Sequence, residues 1–328
     1  MPALNVLQSL ALRCAASWCS GRGDRTSLVV LTYHRVLPVP DPLLPDEPDT
    51  ASFAAQVQIL ADNFNVLPLA EACDRLRSAS LPERALCITF DDGYANNLAI
   101  AAPILAERRL PATVFIATGF LDGGRMFNDT VIEAIRRAGA EVDLASVGLG
   151  RRALPDLDAR QRAIREVLAA IRYLEPRQRL ARAEELAEQV GAELPGDLML
   201  TTAGVRQLLA YGIEVGAHTA THPILCQIGP EAAYEEILNS KRVLEDISAR
   251  KVDSFAYPNG GPYRDYDSSH VGMVRRAGFV RAVSTADGAA THGCDLLQIP
   301  RVFPWYGTLA RASARVARSY TQRQFLRV

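Results

Sequence analysis

The chain has 328 residues, 48% of them hydrophobic and 22% charged, with 36 basic side chains against 37 acidic ones and a formal net charge of -1. This is enough apolar content for one large core or two modest ones, and the balanced charge excludes a global attraction to nucleic acid. Six cysteines, at 14, 19, 73, 87, 226 and 294, contain no C-x-x-C pair; they read as small buried hydrophobes of a reducing compartment, with one or two disulfides left open.

Residues 3–20 are fairly apolar, but Arg13 interrupts them and no basic residue precedes it. They lack the positive start and unbroken apolar middle of a secretory signal, and the longest uncharged run is too short to cross a membrane. The spacing predicts an amphipathic helix packed on the domain or lying at a membrane surface, with export the less favoured alternative. The expected location is cytoplasmic, with peripheral contact to the inner membrane as its variant. Short apolar runs then alternate with helical patterns. Strands are expected at 28–32, 64–67, 86–90 and 112–117, and helices at 53–62, 69–78 and 95–109.

From about 126 to 204 the rhythm stops and the chain turns charged and helical, with Ile164, Val167, Leu168, Ile171 and Leu174 in one apolar stripe. We read a helical insertion packed beside the main fold, with a lid over a substrate groove as the alternative. Phe127, Asn128 and Asp129 are its residues best placed to reach a site. Strands resume at 213–217, 254–257, 280–284 and 296–299, with helices at 231–249 and 268–277. Such repeated units imply an α/β fold, either a (β/α) barrel or a doubly wound sheet. The expected division is an N-terminal segment over 1–27, the main domain over 28–305 and a C-terminal helix over 306–328. In that last segment Arg311, Arg315, Arg318, Arg323 and Arg327 occur without an acid, while Leu309, Ala312, Val316 and Tyr320 keep helical spacing. It reads as a basic helix docked on the domain, or attached to anionic lipid.

Two motifs carry chemistry. Asp91 and Asp92 end an apolar strand ahead of Gly93, and adjacent acids repel unless something stabilises them; a metal on one and a proton-transfer role for the other would do so. His218 and His222 stand four apart, which on a helical turn puts both imidazoles on one face. With one aspartate they make a two-His, one-carboxylate set that leaves positions open for water and substrate. Both motifs fall at C-terminal strand ends, where barrel enzymes place their chemistry, and His34 and Asn259 fall at equivalent points. Cys226 continues the four-residue spacing, but Pro223 argues against one helix through all three, so Cys226 is read as packing.

Thr89-Phe90-Asp91-Asp92-Gly93 and His218-Thr219-Ala220-Thr221-His222, together with Leu31-Thr32-Tyr33-His34-Arg35-Val36 and Phe255-Ala256-Tyr257-Pro258-Asn259-Gly260, resemble the motifs of the polysaccharide deacetylases of carbohydrate esterase family 4. That group includes chitin, peptidoglycan and nodulation-factor deacetylases, and the resemblance runs from about residue 28 to about 302. It implies a distorted (β/α) barrel, often of seven strands, that removes N-acetyl groups from a glycan or lipid-linked sugar. It further implies a divalent cation on Asp92, His218 and His222, zinc or else cobalt, nickel, manganese or iron, with Asp91 as general base. Tyr94, Tyr257, Pro258, Asn259 and Asp129 are expected to touch substrate. The chain departs from the pattern in lacking an arginine before Pro258 and a Leu-x-His-Asp near Leu297. Arg301 is therefore expected to orient Asp91 or the substrate, and His34 to act as the acid. His292 competes for that role, while His270 is read as flanking a helix start. The alternatives are hydrolysis of another non-peptide C–N bond, in a small amide or formamide, or a glycan-binding domain that has lost catalysis.

Overall fold

The apolar, β-branched first strand, β1 (Val29–Tyr33), is buried along its whole length, as a strand covered on both faces must be. The computed structural model describes residues 4–303, 305 and 307–328; Ala3 and Tyr306, where the two terminal helical segments were expected to begin, lie outside the described residues. Ahead of β1 stands α1 (Val6–Ser20). After it come α2 (Thr50–Asn63), β2 (Asn65–Val66), α3 (Leu69–Arg77), β3 (Ala85–Phe90), α4 (Ala102–Glu107) and β4 (Thr113–Ile116). The expected helix over 95–109 opens as a π-helical turn, Asn97–Ala101, before α4 begins. Such bulges are frequent at functional sites, and this one directly follows the Asp91-Asp92 turn.

The insertion contains α5 (Phe127–Arg137), a hairpin of β5 (Glu141–Asp143) and β6 (Arg151–Ala153), α6 (Leu157–Ile171) and α7 (Pro176–Gln189). The hairpin escaped the sequence reading because its strands are short and charged, with no apolar alternation. The stripe on α6 does face inward: Ile164, Val167 and Ile171 join Val131, Ile135, Val142 and Leu186 in an apolar cluster separate from the main core. The chain returns through α8 (Thr202–Ala210) to β7 (Glu214–Ala217), α9 (Pro230–Ser248), β8 (Ser254–Ala256), α10 (Ser268–Arg276), β9 (Arg281–Val283) and α11 (Leu309–Ser319).

Seven parallel strands form one curled sheet in the order β1-β3-β4-β7-β8-β9, with β2 beside β3. The expected strand at 296–299 is present only as a bridging segment: Ile299 pairs with Val283 of β9, and Val302 with Leu31 of β1. Pro300 between them has no N–H to give to a ladder. This segment links the two edges of the sheet, so the architecture is the distorted barrel expected, with helices outside it. Leu31, Ile88, Phe90, Val114, Ile116 and Phe255 belong to its main apolar core.

α11 buries Leu309, Ala312, Val316 and Ala317, with Tyr320 just beyond it, and packs on α1. Its apolar side is thus docked inside the protein. All six cysteines are free; Cys73 and Cys87 are buried as expected, whereas Cys14 is exposed on α1. Among the described residues no helix is long and apolar enough to cross a membrane.

Candidate metal centre and active site

Asp91 and Asp92 follow the last residue of β3. Asp92 takes a left-handed backbone, φ 75°, and Gly93 continues it at φ 85°. A side chain at Gly93 would meet Ile116 Cγ2 at 3.0 Å, so glycine is favoured both by conformation and by space. The reversal lets neighbouring carboxylates, which in a strand would face opposite sides, address one pocket.

Asp91 is gripped by Arg301. Nη1 and Nη2 of the guanidinium donate to Oδ1 and Oδ2 at 2.7 Å each, while Nε donates to the Ser284 carbonyl at 3.0 Å. Burial alone would raise the Asp91 carboxyl, but the Arg301 charge overrides it and holds the group well below the usual carboxylate range. The pair spans 210 residues of sequence.

Asp92 faces the two histidines instead. Its Oδ1 lies 3.5 Å from His218 Nε2 and 3.4 Å from His222 Nε2. Ligands held at about 2.0–2.2 Å around one tetrahedral cation stand roughly this far apart. His218 Nδ1 donates to the Ala256 carbonyl at 2.7 Å, which leaves Nε2 unprotonated and turned toward the site. Burial lowers both histidines, and mutual repulsion adds to this at His222, so the rings are neutral, as ligands must be. Burial pushes the Asp92 carboxyl up to about 7, with Asp91, Asp129 and Glu47 adding repulsion. A carboxylate so poorly solvated, beside two neutral imidazoles, is a donor set that fits a divalent cation.

The sequence reading erred on how the histidines meet. Residues 218–222 form a loop rather than a helical turn, and the rings converge because Thr219 and His222 are both left-handed, at φ 62° and 53°. Glu236 of α9 pins that loop by accepting from the Ala220 and Thr221 amides at 2.9 and 2.7 Å and from the Thr221 hydroxyl at 2.7 Å. Cys226 lies elsewhere, beside Asp267 and His270, and is no part of the Asp92 cluster.

These groups open into a cavity of about 400 Å³ whose lining includes His34, Tyr94, Asp129 and Asn259. Burial lowers His34, but the charges of Asp92, Glu47 and Asp91 outweigh this and raise it above the ordinary imidazole value. Tyr94 donates to Asp129 Oδ2 at 3.1 Å, and burial pushes Asp129 up to about 6. Tyr257 and Pro258 require correction as substrate contacts. Neither lines the cavity; both are buried, and Tyr257 donates to the Leu297 carbonyl while stacking on Tyr266 at 3.9 Å. His292 turns to the Leu76 carbonyl, outside the cavity, and His270 completes the capping box of α10.

Sequence reasoning missed Arg35, Glu47 and Arg172, which also line the cavity. Arg35 donates to Asp129, and its own backbone amide donates to Glu47 Oε2. Asn128, Asp129, Ile132, Leu168 and Arg172 come from the insertion, which therefore forms a wall of the site. Arg179 of α7 ties the insertion to the histidine loop: it donates to the His222 carbonyl at 3.1 Å and lies 4.2 Å above the Phe127 ring. A second cavity, of about 700 Å³, adjoins the first and shares Met126, Phe127 and His222 with it.

Residues 78–176 and 181–282 match the family described as Polysaccharide deacetylase. The chain is 20% identical over 277 residues to YxkH of Bacillus subtilis, whose name assigns it provisionally to the polysaccharide deacetylases; the match covers 84% of this chain and 70% of that protein. Its fold is similar to that of IcaB from Ammonifex degensii, with a TM-score of 0.58, 20% identity and coverage of 92% and 98% of the two chains. It is similar also to the Streptococcus pyogenes deacetylase PplD, solved in complex with acetate, with a TM-score of 0.56, 19% identity and coverage of 84% and 92%.

Proposed function

The chain belongs to the polysaccharide deacetylase family, and on that premise we propose that it is a metal-dependent hydrolase that removes N-acetyl groups from a glycan or a lipid-linked sugar. One observation carries the reading: Asp92, His218 and His222 present three donor atoms to one point while Asp91, held apart from them by Arg301, remains free of that task. The donors would hold zinc, or cobalt, nickel, manganese or iron, since imidazole and carboxylate accept them all. When bound, such a cation polarises the acetyl carbonyl and acidifies the attacking water.

The chain's own residues divide the remaining work. Asp91, kept ionised by Arg301, takes the proton of the attacking water. His34, raised by its acidic neighbours, delivers a proton to the leaving amine. Arg301 acts through Asp91, fixing its orientation and charge. Tyr94, Asn259 and Asp129 face the sugar that carries the acetyl group.

Hydrolysis of a small amide or formamide is the second reading, and an enclosed pocket would favour it. The adjoining cavity supports the glycan instead, because it offers more room beside His222 than a small amide needs. The ordered donor set argues against a lost catalytic centre. Parallel assays of N-acetylated oligosaccharides and small formamides decide between them. Faster turnover of the oligosaccharides is expected; the reverse order overturns the glycan reading.

A further inference from the structure

The two ends of the chain meet at the base of the barrel, opposite the site. Ser20 Oγ at the end of α1 accepts from the Arg84 amide, and the Tyr320 hydroxyl donates to the Ala85 carbonyl, both at the start of β3. Asp91 lies past the other end of that strand. Leu12, Ala16 and Ser20 form the buried side of α1. Its outer side is apolar too: Val6, Leu7, Leu10 and Trp18 are 84%, 77%, 57% and 84% exposed. Leu7, Leu10, Cys14 and Trp18 follow one another at helical spacing along a single stripe, and Arg13 is the helix's one charged residue.

The charge of the two terminal segments is cationic. Residues 4–23 and 296–328 contain no carboxylate, although the whole chain is nearly neutral. Arg311, Arg318, Arg323 and Arg327 are exposed, and Arg323 reaches across to the Cys19 carbonyl at the end of α1. Glu83, paired with Arg22, and Asp287, beside Gln322, are acids of other segments that reach these ends, but an apolar helix face with a tryptophan and an excess of exposed arginines matches an anionic bilayer surface, where the rings and aliphatic chains sit at headgroup depth and guanidiniums meet phosphates. A second copy of the chain would instead bring like charges together.

We propose that the outer stripe of α1, with the arginines of α11 and the tail beside it, seats the protein on a membrane rich in anionic lipid. The barrel base then faces the bilayer and the cavity faces the aqueous phase, so substrate is met away from the membrane plane. α11 itself supplies charge and no inserting face, since its apolar side is occupied by the core.

The test uses the full chain, because removing α11 would strip Leu309, Ala312 and Val316 from the core. Co-sedimentation is measured with vesicles of equal parts phosphatidylcholine and phosphatidylglycerol and with pure phosphatidylcholine. Binding to the mixed vesicles is expected, with a blue shift of Trp18 emission read in a Trp305→Phe background. Leu10→Gln with Trp18→Gln should weaken it by about a hundredfold or more, the cost of two large apolar contacts. Arg311→Gln with Arg318→Gln should weaken it about tenfold or more and remove much of its salt sensitivity. These side chains point outward, and unchanged circular dichroism verifies the fold. Equal binding to both vesicle types, no binding at low salt, or binding without a Trp18 shift each overturns the proposal. So does concentration-dependent dimerisation lost in the Trp18→Gln variant without vesicle binding, which assigns the face to a second copy.

Discussion

Replacing Arg301 by methionine keeps an apolar stem of similar length and removes the charge that two 2.7 Å hydrogen bonds deliver to Asp91. Arg301 is 0% and Asp91 3% exposed, so water cannot take over. In the native protein the folded carboxyl titrates below its unfolded value of about 4. The pair therefore stabilises above that pH, and its contribution is lost as pH falls through the lower folded value. In Arg301→Met the order reverses: burial lifts the folded carboxyl above the unfolded one, so the variant loses stability as pH rises from about 4 toward neutrality. The gap between the two proteins should widen over that window and approach about 3–5 kcal/mol near neutral pH, the usual cost of breaking a buried pair. Urea unfolding at the two ends of the window measures it. The acid limb of kcat/KM should also move up by about 1–3 pH units, the reach of a neighbouring arginine. A stability gap of equal size at both pH values, with an unmoved acid limb, refutes the reasoning.

Asp91→Asn should lower turnover by about two to four orders of magnitude while metal content by mass spectrometry stays native. Alanine at Asp92, His218 or His222 should abolish stoichiometric metal; full content in all three variants contradicts the ligand set. Glu236→Ala, which frees the loop between the histidines, should weaken cation affinity by about tenfold or more in a calorimetric titration, the scale seen when groups orienting ligands are lost. His34→Asn should remove the alkaline limb of the kcat/KM profile, because the proton donor is lost as pH rises through its pKa. A limb that persists unchanged assigns the acid elsewhere.

The strand ending at Phe90 and its paired aspartates were legible because a continuous apolar run followed by charge and glycine has few other uses. The histidine pair was legible as a convergent pair but not in its geometry: four-residue spacing suggests a helix, whereas two left-handed residues bring the rings together here. Arg301 stood out in sequence only as a basic residue where a family motif was absent, and its partner lies 210 residues away. Tyr257 shows the opposite failure, since an aromatic inside a motif region looks accessible until stacking on Tyr266 seals it in the core. Arg35 sat unremarked inside a motif segment, next to His34, while Glu47 and Arg172 gave no signal, because only loop and insertion packing carries them to the cavity. For α1 the helix was readable, but not which apolar side would be covered.

Acetate release from N-acetylated oligosaccharides by the purified full chain, followed through chelation and cation re-addition, bears most directly on the assignment of chemistry to this site. Acetate and free amine are expected in equal amounts, with loss of both on chelation, recovery on adding zinc or cobalt, and no recovery in Asp91→Asn. Acetate release that persists undiminished in chelated protein shown by mass spectrometry to be metal-free, or that is native in Asp91→Asn, would contradict that assignment.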